Sequence, residues 1–312
     1  MFVAGRTTRV DTMKLGVLVP ERLVELRERA EHVGISVEGE ALHIGALTTM
    51  AALADHPAVI ARLPLVRSAL LQSASPQIRN MATIAGNLRQ RTRCSYFRGL
   101  ASPCNKRAPG SGCGAMGGDA RGLAILGTSA ACKANCPGDL AVALLAVEAQ
   151  VEVQALDGQH RSLCLADLHR TPGSTPERET NLAPGNLITA ITGPMADHAR
   201  SGYVKVCDRA SCAFALASAA VSLTLDDDRT VTRCAIALGG LATKPWRATT
   251  AEAMMIGQTV TEATAAAASR AVLAEATPTP DQSFKVDLAY RVMVKLIMEV
   301  SAQPAARVGV TT

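Results

Sequence analysis

The placement of cysteine constrains this 312-residue chain more than any other feature of its sequence. Five of its nine cysteines fall within 43 consecutive positions, whereas the first 93 residues contain none. An odd number of cysteines without a secretory signal argues against a disulfide framework. The first four of the group have the spacing C-x9-C-x8-C-x18-C, which matches neither the bacterial ferredoxin run nor a zinc ribbon. From the residues alone the metal stays undecided, with unligated thiols and disulfides as alternatives to a shared centre.

The segment that carries these cysteines is also rich in glycine and in basic side chains, notably over Arg89–Arg93 and Cys104–Arg107. Glycine lets backbone N–H groups converge on an anion. An iron–sulfur cluster held by four thiolates carries net negative charge, which nearby cations and amides stabilise. We therefore expect a local anionic ligand here. Nucleic acid is not expected, because the net charge is only +5 and aromatic residues make up 3% of the chain.

A family resemblance follows from the residues around this segment. Ala74–Asn87, which ends in Thr83-Ile84-Ala85-Gly86-Asn87, resembles the second flavin motif of the FAD-binding medium subunits of xanthine dehydrogenase-type molybdenum hydroxylases. The continuation from Gln90 to Cys113 resembles a subset of those subunits, found in three-subunit aldehyde-oxidising enzymes, that carries an extra [4Fe–4S] cluster. The resemblance covers nearly the whole chain, and it implies FAD and a [4Fe–4S] cluster as cofactors.

The resemblance also implies which residues hold the cluster. The expected ligands are Cys94, Cys104, Cys113 and Cys132. Cys136 is expected to be either an alternate ligand or a bystander.

The start of the chain, Phe2–Lys14, is typical of a strand, a glycine turn and a helix, and is similar to the family's first flavin motif. Arg6 stands where the family has a second glycine. If that position requires a positive φ, a non-glycine residue is strained there by roughly 1 kcal/mol or more. Alternatively, the Arg6 side chain adds a phosphate contact. Family members have a further strand–helix unit before this motif, so we expect either a late start assignment or an uncovered sheet edge that weakens the flavin site.

The resemblance implies that the dinucleotide lies between two lobes. Asp139 is expected to bond the ribitol or ribose, although a helix N-cap carboxylate explains it equally well. Two cations near the isoalloxazine ring would stabilise an anionic reduced flavin, and solvated charges on a surface strand are the alternative. No catalytic residue is expected. The expected cofactor-binding residues are Ala4, Gly5, Arg6, Thr7, Thr83, Ala85, Gly86, Asn87, Asp139, Lys205 and Arg209.

The expected fold is α+β, with a two-lobed FAD-binding domain (PCMH-like) followed by a C-terminal domain whose antiparallel sheet packs on helices. Alternating residues around the acidic triplet Asp226-Asp227-Asp228 predict an antiparallel pair of strands, and apolar periodicity predicts a helix over Asp287–Ala302. Pro57–Ser73 is predicted to be helical with an interruption at Pro64. The predicted ranges are 1–195 for the first domain with a cysteine-rich insertion at 88–136, 200–302 for the second, and 303–312 for a tail.

The function implied is that of an electron-transfer flavoprotein subunit of a molybdenum-containing aldehyde oxidoreductase or xanthine dehydrogenase-type enzyme. Its expected partners are a large molybdopterin-binding subunit and a small [2Fe–2S] subunit. Two alternatives stay open: a stand-alone flavin oxidoreductase of the vanillyl-alcohol-oxidase type, and an assembly subunit that has lost FAD. No apolar run reaches the ~18 residues of a membrane helix. The expected compartment is the cytoplasm, or the periplasm if a signal-bearing partner exports this chain.

Overall fold

The computed structural model describes residues 1–195 and 199–304. The elements of the first part are β1 (Phe2–Val3), α1 (Thr8–Lys14), β2 (Val24–Glu25), β3 (Ile35–Glu38), β4 (Ala41–Gly45), α2 (Met50–Ala54), α3 (Pro57–Arg62), α4 (Pro64–Leu71), α5 (Pro76–Met81), α6 (Ile84–Leu88), α7 (Ser95–Arg98), α8 (Asp139–Ala146), β5 (Gln150–Gln154), β6 (His160–Cys164), α9 (Leu165–Leu168) and β7 (Leu187–Pro194). Those of the second part are β8 (Arg200–Val206), β9 (Ala217–Leu225), β10 (Val231–Gly239), β11 (Trp246–Arg247), α10 (Thr249–Met255), α11 (Glu262–Leu273) and α12 (Ser283–Ala302). The predicted α+β class is confirmed.

Three sheets organise these strands. β1 and β2 form a parallel pair, β3-β4-β7-β5-β6 form a five-stranded antiparallel sheet, and β11-β10-β9-β8 form a four-stranded antiparallel sheet. The hairpin of β9 and β10 turns where the carboxylate of Asp226 accepts a hydrogen bond from the N–H of Thr230 at 2.8 Å. The predicted antiparallel pair is therefore confirmed, and the acidic triplet belongs to its turn.

Helix α8 lies between the two large hydrophobic cores. All eight of its residues are buried, as expected for a helix that is apolar on every side. The first core combines α2, α4 and α8 with the five-stranded sheet, whereas the second lies between the four-stranded sheet and α10, α11 and α12. Because α8 also packs against β9 and β10, it connects the first core to the second sheet.

Two helix boundaries follow from local chemistry. Helices α3 and α4 are separated at Leu63, directly before Pro64, because proline disfavours a helical conformation in the residue that precedes it. The predicted interruption is thus confirmed. Helix α12 begins at Ser283, earlier than predicted, because the 3-10 turn Pro280–Gln282 is capped by Thr279 and runs directly into it.

The cysteine-rich insertion contains little regular structure. Between residues 89 and 136, all of which are described, only α7 and one 3-10 turn at Gly114–Met116 occur. Its side chains instead form a small third core around Phe97, Ala115 and Leu123. The predicted domain ranges stay a prediction. Residues 196–198 of the predicted boundary and residues 305–312 of the predicted tail lie outside the described residues.

A helix that spans a lipid bilayer must be long and largely apolar. Within residues 1–195 and 199–304, no helix combines the length and the apolar character needed to span a membrane.

Candidate functional site

The two flavin motifs meet at Gly5. A Cβ atom at this position would lie 2.3 Å from the carbonyl oxygen of Met81 and 2.9 Å from the Cα of Ala82. Only glycine therefore allows the turn after β1 to pack directly on the segment that leads into Thr83. The sequence predicted each motif separately, and the fold brings them into backbone contact.

The turn itself leaves backbone N–H groups available. Arg6 has a φ of 55°, in the left-handed region where a side chain costs roughly 1 kcal/mol or more. Its guanidinium pairs with the carboxylate of Glu25, and this hydrogen bond lowers the pKa of Glu25. The Arg6 side chain thus already has a protein partner. Within the described residues, the N–H groups of Gly5, Arg6 and Thr7 donate to no backbone oxygen.

The second motif contributes a cap and an unpaired oxygen. The Thr83 hydroxyl accepts a hydrogen bond from the N–H of Gly86 at 3.3 Å and so caps α6. The Asn87 amide nitrogen lies 3.2 Å from the sulfur of Met50, whereas its buried Oδ1 has no partner within the described residues. A buried acceptor without a donor costs about 1–3 kcal/mol. A ligand with a donor group at this position would remove that cost.

Three neighbouring cavities, which share lining residues, lie along these motifs and together are called the cleft. The turn cavity, about 80 Å³, is lined by the Gly5 turn and by Thr83 to Gly86. The inter-core cavity, about 520 Å³, lies between Asn87, Asp139 and the loop that follows β8. The arginine cavity, about 650 Å³, contains several basic side chains. The turn cavity shares lining residues with both others: Thr7, Thr8 and Gly86 with the inter-core cavity, and Phe2, Arg9, Arg89 and Arg91 with the arginine cavity.

A buried polar group closes the floor of the inter-core cavity. The Asp139 carboxylate accepts hydrogen bonds from the Tyr203 hydroxyl at 2.6 Å and from the Lys205 ammonium at 2.8 Å. The Ser73 hydroxyl donates to the same carboxylate at 3.0 Å. Lys205 also donates to the carbonyl oxygen of Gln72 at 3.0 Å. Burial, together with the charge of Asp139, raises the pKa of Tyr203 well above its usual value, so its hydroxyl stays a donor.

Asp139 therefore has partners in both cores. It comes from α8, Ser73 follows α4, and Tyr203 and Lys205 lie on β8. Asp139 is not the N-cap of α8, because Gly138 occupies that position. The helix-cap explanation of Asp139 is thus wrong, and its carboxylate lies on the cavity wall instead.

The cleft includes most of the residues expected to contact the cofactor. Seven line the turn cavity: Ala4, Gly5, Arg6, Thr7, Thr83, Ala85 and Gly86. Asn87, Asp139 and Lys205 line the inter-core cavity. Arg209 lies apart, in a neighbouring cavity that also contains Cys94, and its guanidinium donates to the carbonyl oxygen of Cys212 at 2.6 Å. Contact of these residues with the cofactor stays a prediction.

The inter-core cavity and the neighbouring cavity of Cys94 share a wall. Arg93 and Phe214 line both cavities. The Arg93 guanidinium stacks 4.8 Å from the centre of the Phe214 ring and forms an ion pair with Asp11 at 3.2 Å. The stacking and the ion pair hold the wall between α1 and the loop after β8.

Four cysteines of the insertion come together in the third core, and Cys104 and Cys113 pair across an isolated β-bridge. Burial, together with the nearby thiols of Cys104 and Cys132, raises the pKa of the Cys94 thiol to about 11. Burial likewise raises the pKa of Cys132, which also lies near Cys104 and Cys113. Cys136 is not part of this core and lines the arginine cavity.

Side chains of the insertion hold its backbone in place. The Arg107 guanidinium donates to four carbonyl oxygens between Cys94 and Cys104, including that of Tyr96 at 2.8 Å. Asn105 accepts from the N–H of Gly112 at 2.8 Å and donates to the carbonyl oxygen of Ala131 at 3.1 Å. A loop without ladder partners needs such bonds for its buried backbone groups.

The basic side chains of the insertion were expected to neutralise an anionic ligand held by the cysteines. Most of them instead have other partners in the protein. Arg107 is committed to backbone carbonyls, and Arg91 forms an ion pair with Glu179. Lys106 also pairs with Glu179, at 3.0 Å, and its charge opposes the rise in the Cys132 pKa. Within the described residues, no three His, Cys, Asp or Glu side chains are close enough together to hold a single metal ion.

Sequence reasoning missed Ser73 and Tyr203, and it gave Arg9 and Arg89 no role in the flavin site. Tyr203 stands at the start of the second predicted domain, which carries no local signal of contact with Asp139. Arg89 stands in a basic run beside the cysteines, and its position on the turn cavity depends on the path of the chain after α6.

Comparison with known proteins supports the flavin site. A family model described as the FAD binding domain in molybdopterin dehydrogenase matches residues 1–196, and a model of the CO dehydrogenase flavoprotein C-terminal domain matches residues 202–300. The chain is 42% identical over 302 residues to the aldehyde oxidoreductase FAD-binding subunit PaoB of Escherichia coli (strain K12), covering 97% of this chain and 92% of that protein.

More distant relatives share the fold. The chain is 26% identical over 256 residues to the glyceraldehyde dehydrogenase medium chain of Sulfolobus acidocaldarius, covering 82% of this chain and 73% of that protein. A chain of carbon monoxide dehydrogenase from Hydrogenophaga pseudoflava superimposes with a TM-score of 0.75 at 24% identity, covering 97% of this chain and 89% of the solved one. The predicted FAD cofactor and oxidoreductase class are confirmed by these matches. The chain belongs to the family of FAD-binding oxidoreductase subunits of the molybdopterin dehydrogenases.

Proposed function

We propose that this chain is the FAD-binding electron-transfer subunit of a three-subunit, molybdenum-containing aldehyde oxidoreductase. Its partners are a large molybdopterin-binding subunit, which oxidises the substrate, and a small [2Fe–2S] subunit, which delivers the electrons. The observation that carries the proposal is the cleft at the contact of the two glycine motifs, in a chain 42% identical to an aldehyde oxidoreductase FAD-binding subunit. The first domain, residues 1–195, and the second, residues 200–302, enclose this cleft in the proposal.

Different residues of the cleft bind different parts of FAD in this proposal. The free N–H groups of the Gly5 turn suit the diphosphate, because turns of this kind form anion-binding concavities. Thr83 and Ala85 shape the second turn. The unpaired Asn87 oxygen accepts a hydrogen bond from the ribityl chain or the ring. When bound, FAD accepts electrons singly or in pairs and so links a one-electron chain to a two-electron acceptor.

Lys205 supplies positive charge at the floor of the inter-core cavity. Its ammonium is held by Asp139, and this ion pair leaves the side chain only 3% exposed. Tyr203 and Ser73 satisfy the remaining acceptor positions of Asp139. The network thus fixes the Lys205 ammonium at one place, from which it would stabilise an anionic reduced flavin. Arg209 lies in the neighbouring cavity and is bonded to Cys212.

We also infer that the insertion holds a [4Fe–4S] cluster. Support comes from the four cysteines gathered in the third core, namely Cys94, Cys104, Cys113 and Cys132. A single zinc ion would need its sulfurs about 3.8 Å apart, and no such group occurs within the described residues. A four-iron cubane is larger than one ion and takes ligands that lie further apart. Cys136 is a bystander in this assignment.

Anaerobic purification of the chain, alone and with its co-expressed partners, tests the proposal. We expect bound FAD, together with iron and acid-labile sulfide in a ratio of about four each per chain. Protein without flavin or iron would refute both cofactor assignments. Turnover of an alcohol by the chain alone would favour the flavin oxidase alternative. Colourless protein that still binds its partners would favour the assembly-subunit alternative.

Compartment is assigned to the cytoplasm in this proposal, with co-export by a signal-bearing partner as the alternative. Fractionation of cells that express all three subunits distinguishes the two. Recovery of the complex in the periplasmic fraction would overturn the assignment.

A further inference from the structure

Two half-buried arginines in the cleft form no ion pair within the described residues. Arg89 follows α6, and its guanidinium also makes no hydrogen bond there. For Arg9, the one hydrogen bond found among the described residues goes to the sulfur of Met1, at 3.0 Å. The pKa of Arg9 is lowered to about 10 by burial and by the charges of Arg89 and Arg91, and the charge of Glu179 opposes this change. Burial also lowers the pKa of Arg89. A partly buried charge without a direct partner is costly, and a neighbour of the same sign adds repulsion.

The acidic groups near these arginines are shared among several cations. Glu179 forms ion pairs with both Arg91 and Lys106, and its charge also acts on Arg9 and Arg89. Arg93 and Arg98 share Asp11. One Glu179 carboxylate cannot balance the four cations around it, so the region keeps surplus positive charge. Of those four cations, Arg9 and Arg89 are the two without an ion pair within the described residues.

Arg9 and Arg89 lie at the junction of two cavities. Arg9 and Arg89 line both the turn cavity and the arginine cavity, so they stand where the two cavities join. The turn cavity also contains Gly5, Arg6 and Thr7, whose N–H groups have no backbone acceptor. An anion at this junction would contact backbone N–H groups on one side and two guanidinium groups on the other.

We propose that Arg9 and Arg89 clamp the diphosphate of the bound dinucleotide at this junction. The inference rests on the proposed function and assigns two residues that the glycine motifs do not include. Guanidinium groups bind phosphate oxygens in bidentate fashion, which suits a diphosphate that carries charged oxygens on both of its phosphate groups. The clamp also relieves the repulsion between the two arginines.

Cavity size places both ends of the ligand outside the turn cavity. At about 80 Å³ this cavity is too small for a nucleoside as well as a diphosphate. With the isoalloxazine ring in the inter-core cavity beside Asn87 and Lys205, as in the proposed function, the adenosine end extends into the arginine cavity of about 650 Å³.

Titration of the flavin-free full-length chain with ADP, FAD and riboflavin tests the clamp. ADP carries the diphosphate without the ring, and riboflavin carries the ring without phosphate. Arg9→Gln and Arg89→Gln are each expected to weaken ADP and FAD binding by about tenfold or more, the usual effect of losing a charged hydrogen bond. Riboflavin binding should stay unchanged. The salt dependence of ADP binding should become shallower in both variants, because fewer charges meet the phosphates.

Arg161→Gln is the matched control, because it removes the same charge from an exposed position on β6. Arg89→Lys serves as a second variant if Arg89→Gln does not fold, and it should retain part of the ADP affinity because it keeps the charge. Wild-type affinity for ADP and FAD in both Gln variants would overturn the clamp and leave the flavin site intact. Failure of the wild-type chain to bind FAD would overturn the proposed function itself.

Discussion

At the scale of single residues, Gly5 decides how closely the two flavin motifs approach each other. A side chain at this position would collide with the carbonyl oxygen of Met81, which belongs to the backbone and cannot rotate away. Arg6, the next residue, shows that a positive φ alone does not demand glycine, since this chain accepts an arginine at 55°. Close contact and backbone conformation are thus separate constraints in this turn.

Gly5→Ala is expected to push the turn away from Met81. Overpacking of this kind costs about 1–3 kcal/mol, and the displaced N–H groups should weaken FAD binding by about tenfold or more. Thermal unfolding and the flavin content of the purified protein measure the two effects. Gly117→Ala is the control, because a Cβ there meets nothing within 4 Å. Equal flavin content in the two variants would contradict the role given to Gly5.

Cys104→Ser tests the cluster ligands one residue at a time. Cys104 is buried in the third core and pairs with Cys113 across the β-bridge. A hydroxyl is a poor ligand for a soft iron site, so iron and sulfide should be lost while FAD is retained. Cys164→Ser is the control, because Cys164 is exposed on β6. Unchanged iron content in Cys104→Ser would remove this residue from the ligand set.

At the scale of elements, the contact between α8 and β8 includes a buried ion pair. The side chains of Lys205 and Asp139 are 3% and 7% exposed, so neither is solvated by water. Such a pair adds little net stability compared with apolar residues, but removing one partner leaves a buried charge. The pair therefore makes the contact sensitive to single substitutions.

Lys205→Met should destabilise the chain by about 3–5 kcal/mol, because Asp139 would keep its charge and lose its counter-ion. Urea unfolding of the full-length protein measures the loss. Adding Asp139→Asn should restore part of the stability, as expected for two residues that interact directly. Lys295→Met, at an exposed position on α12, is the control. Additive effects in the double variant would show that the two groups do not interact.

The start of α12 provides a prediction about pH. Lys285 is completely buried, and its ammonium donates to the carbonyl oxygens of Leu123 at 2.7 Å and Gly240 at 2.8 Å. Burial lowers its pKa from 10.5 to about 8, with a smaller contribution from Arg121. Between these values the unfolded chain binds more protons, so this group makes the free energy of unfolding rise with pH.

The wild-type protein should therefore gain stability relative to Lys285→Met as the pH rises from 8 to 10.5, the interval between the two pKa values. The gain is at most about 3 kcal/mol. Chemical unfolding of both proteins at several pH values measures it, and Lys295→Met should show no such trend. If the difference in free energy of unfolding between the two proteins did not change with pH, the lowered pKa of Lys285 would be contradicted.

At the scale of the whole molecule, the insertion connects the two ends of the chain. Arg98 pairs with Asp11 of α1 at 2.7 Å. On the other side, the Gln282 amide donates to the carbonyl oxygens of Ala120 and Ala124, and Lys285 donates to that of Leu123. An irregular segment of this length is thus held at many points by side chains from regular elements.

This arrangement explains which features were predictable from sequence. The glycine motifs and the hairpin of β9 and β10 depend on residues close together in the chain, and local patterns predict them. The contact of Tyr203 with Asp139 joins residues 64 positions apart and depends on how α8 crosses both cores. β6 has mostly exposed side chains without apolar alternation, so its sequence carries no strand signal. The place of Arg9 and Arg89, where two cavities meet, depends on contacts between parts of the chain that are far apart in sequence.

The wall of Arg93 and Phe214 has a consequence for electron flow. Both side chains line the inter-core cavity and the cavity of Cys94. With both cofactors bound as proposed, Arg93 and Phe214 would lie between the flavin site and the cluster ligand Cys94. The ion pair of Arg93 with Asp11 and its stacking on Phe214 would then hold the groups between the two redox centres in one arrangement.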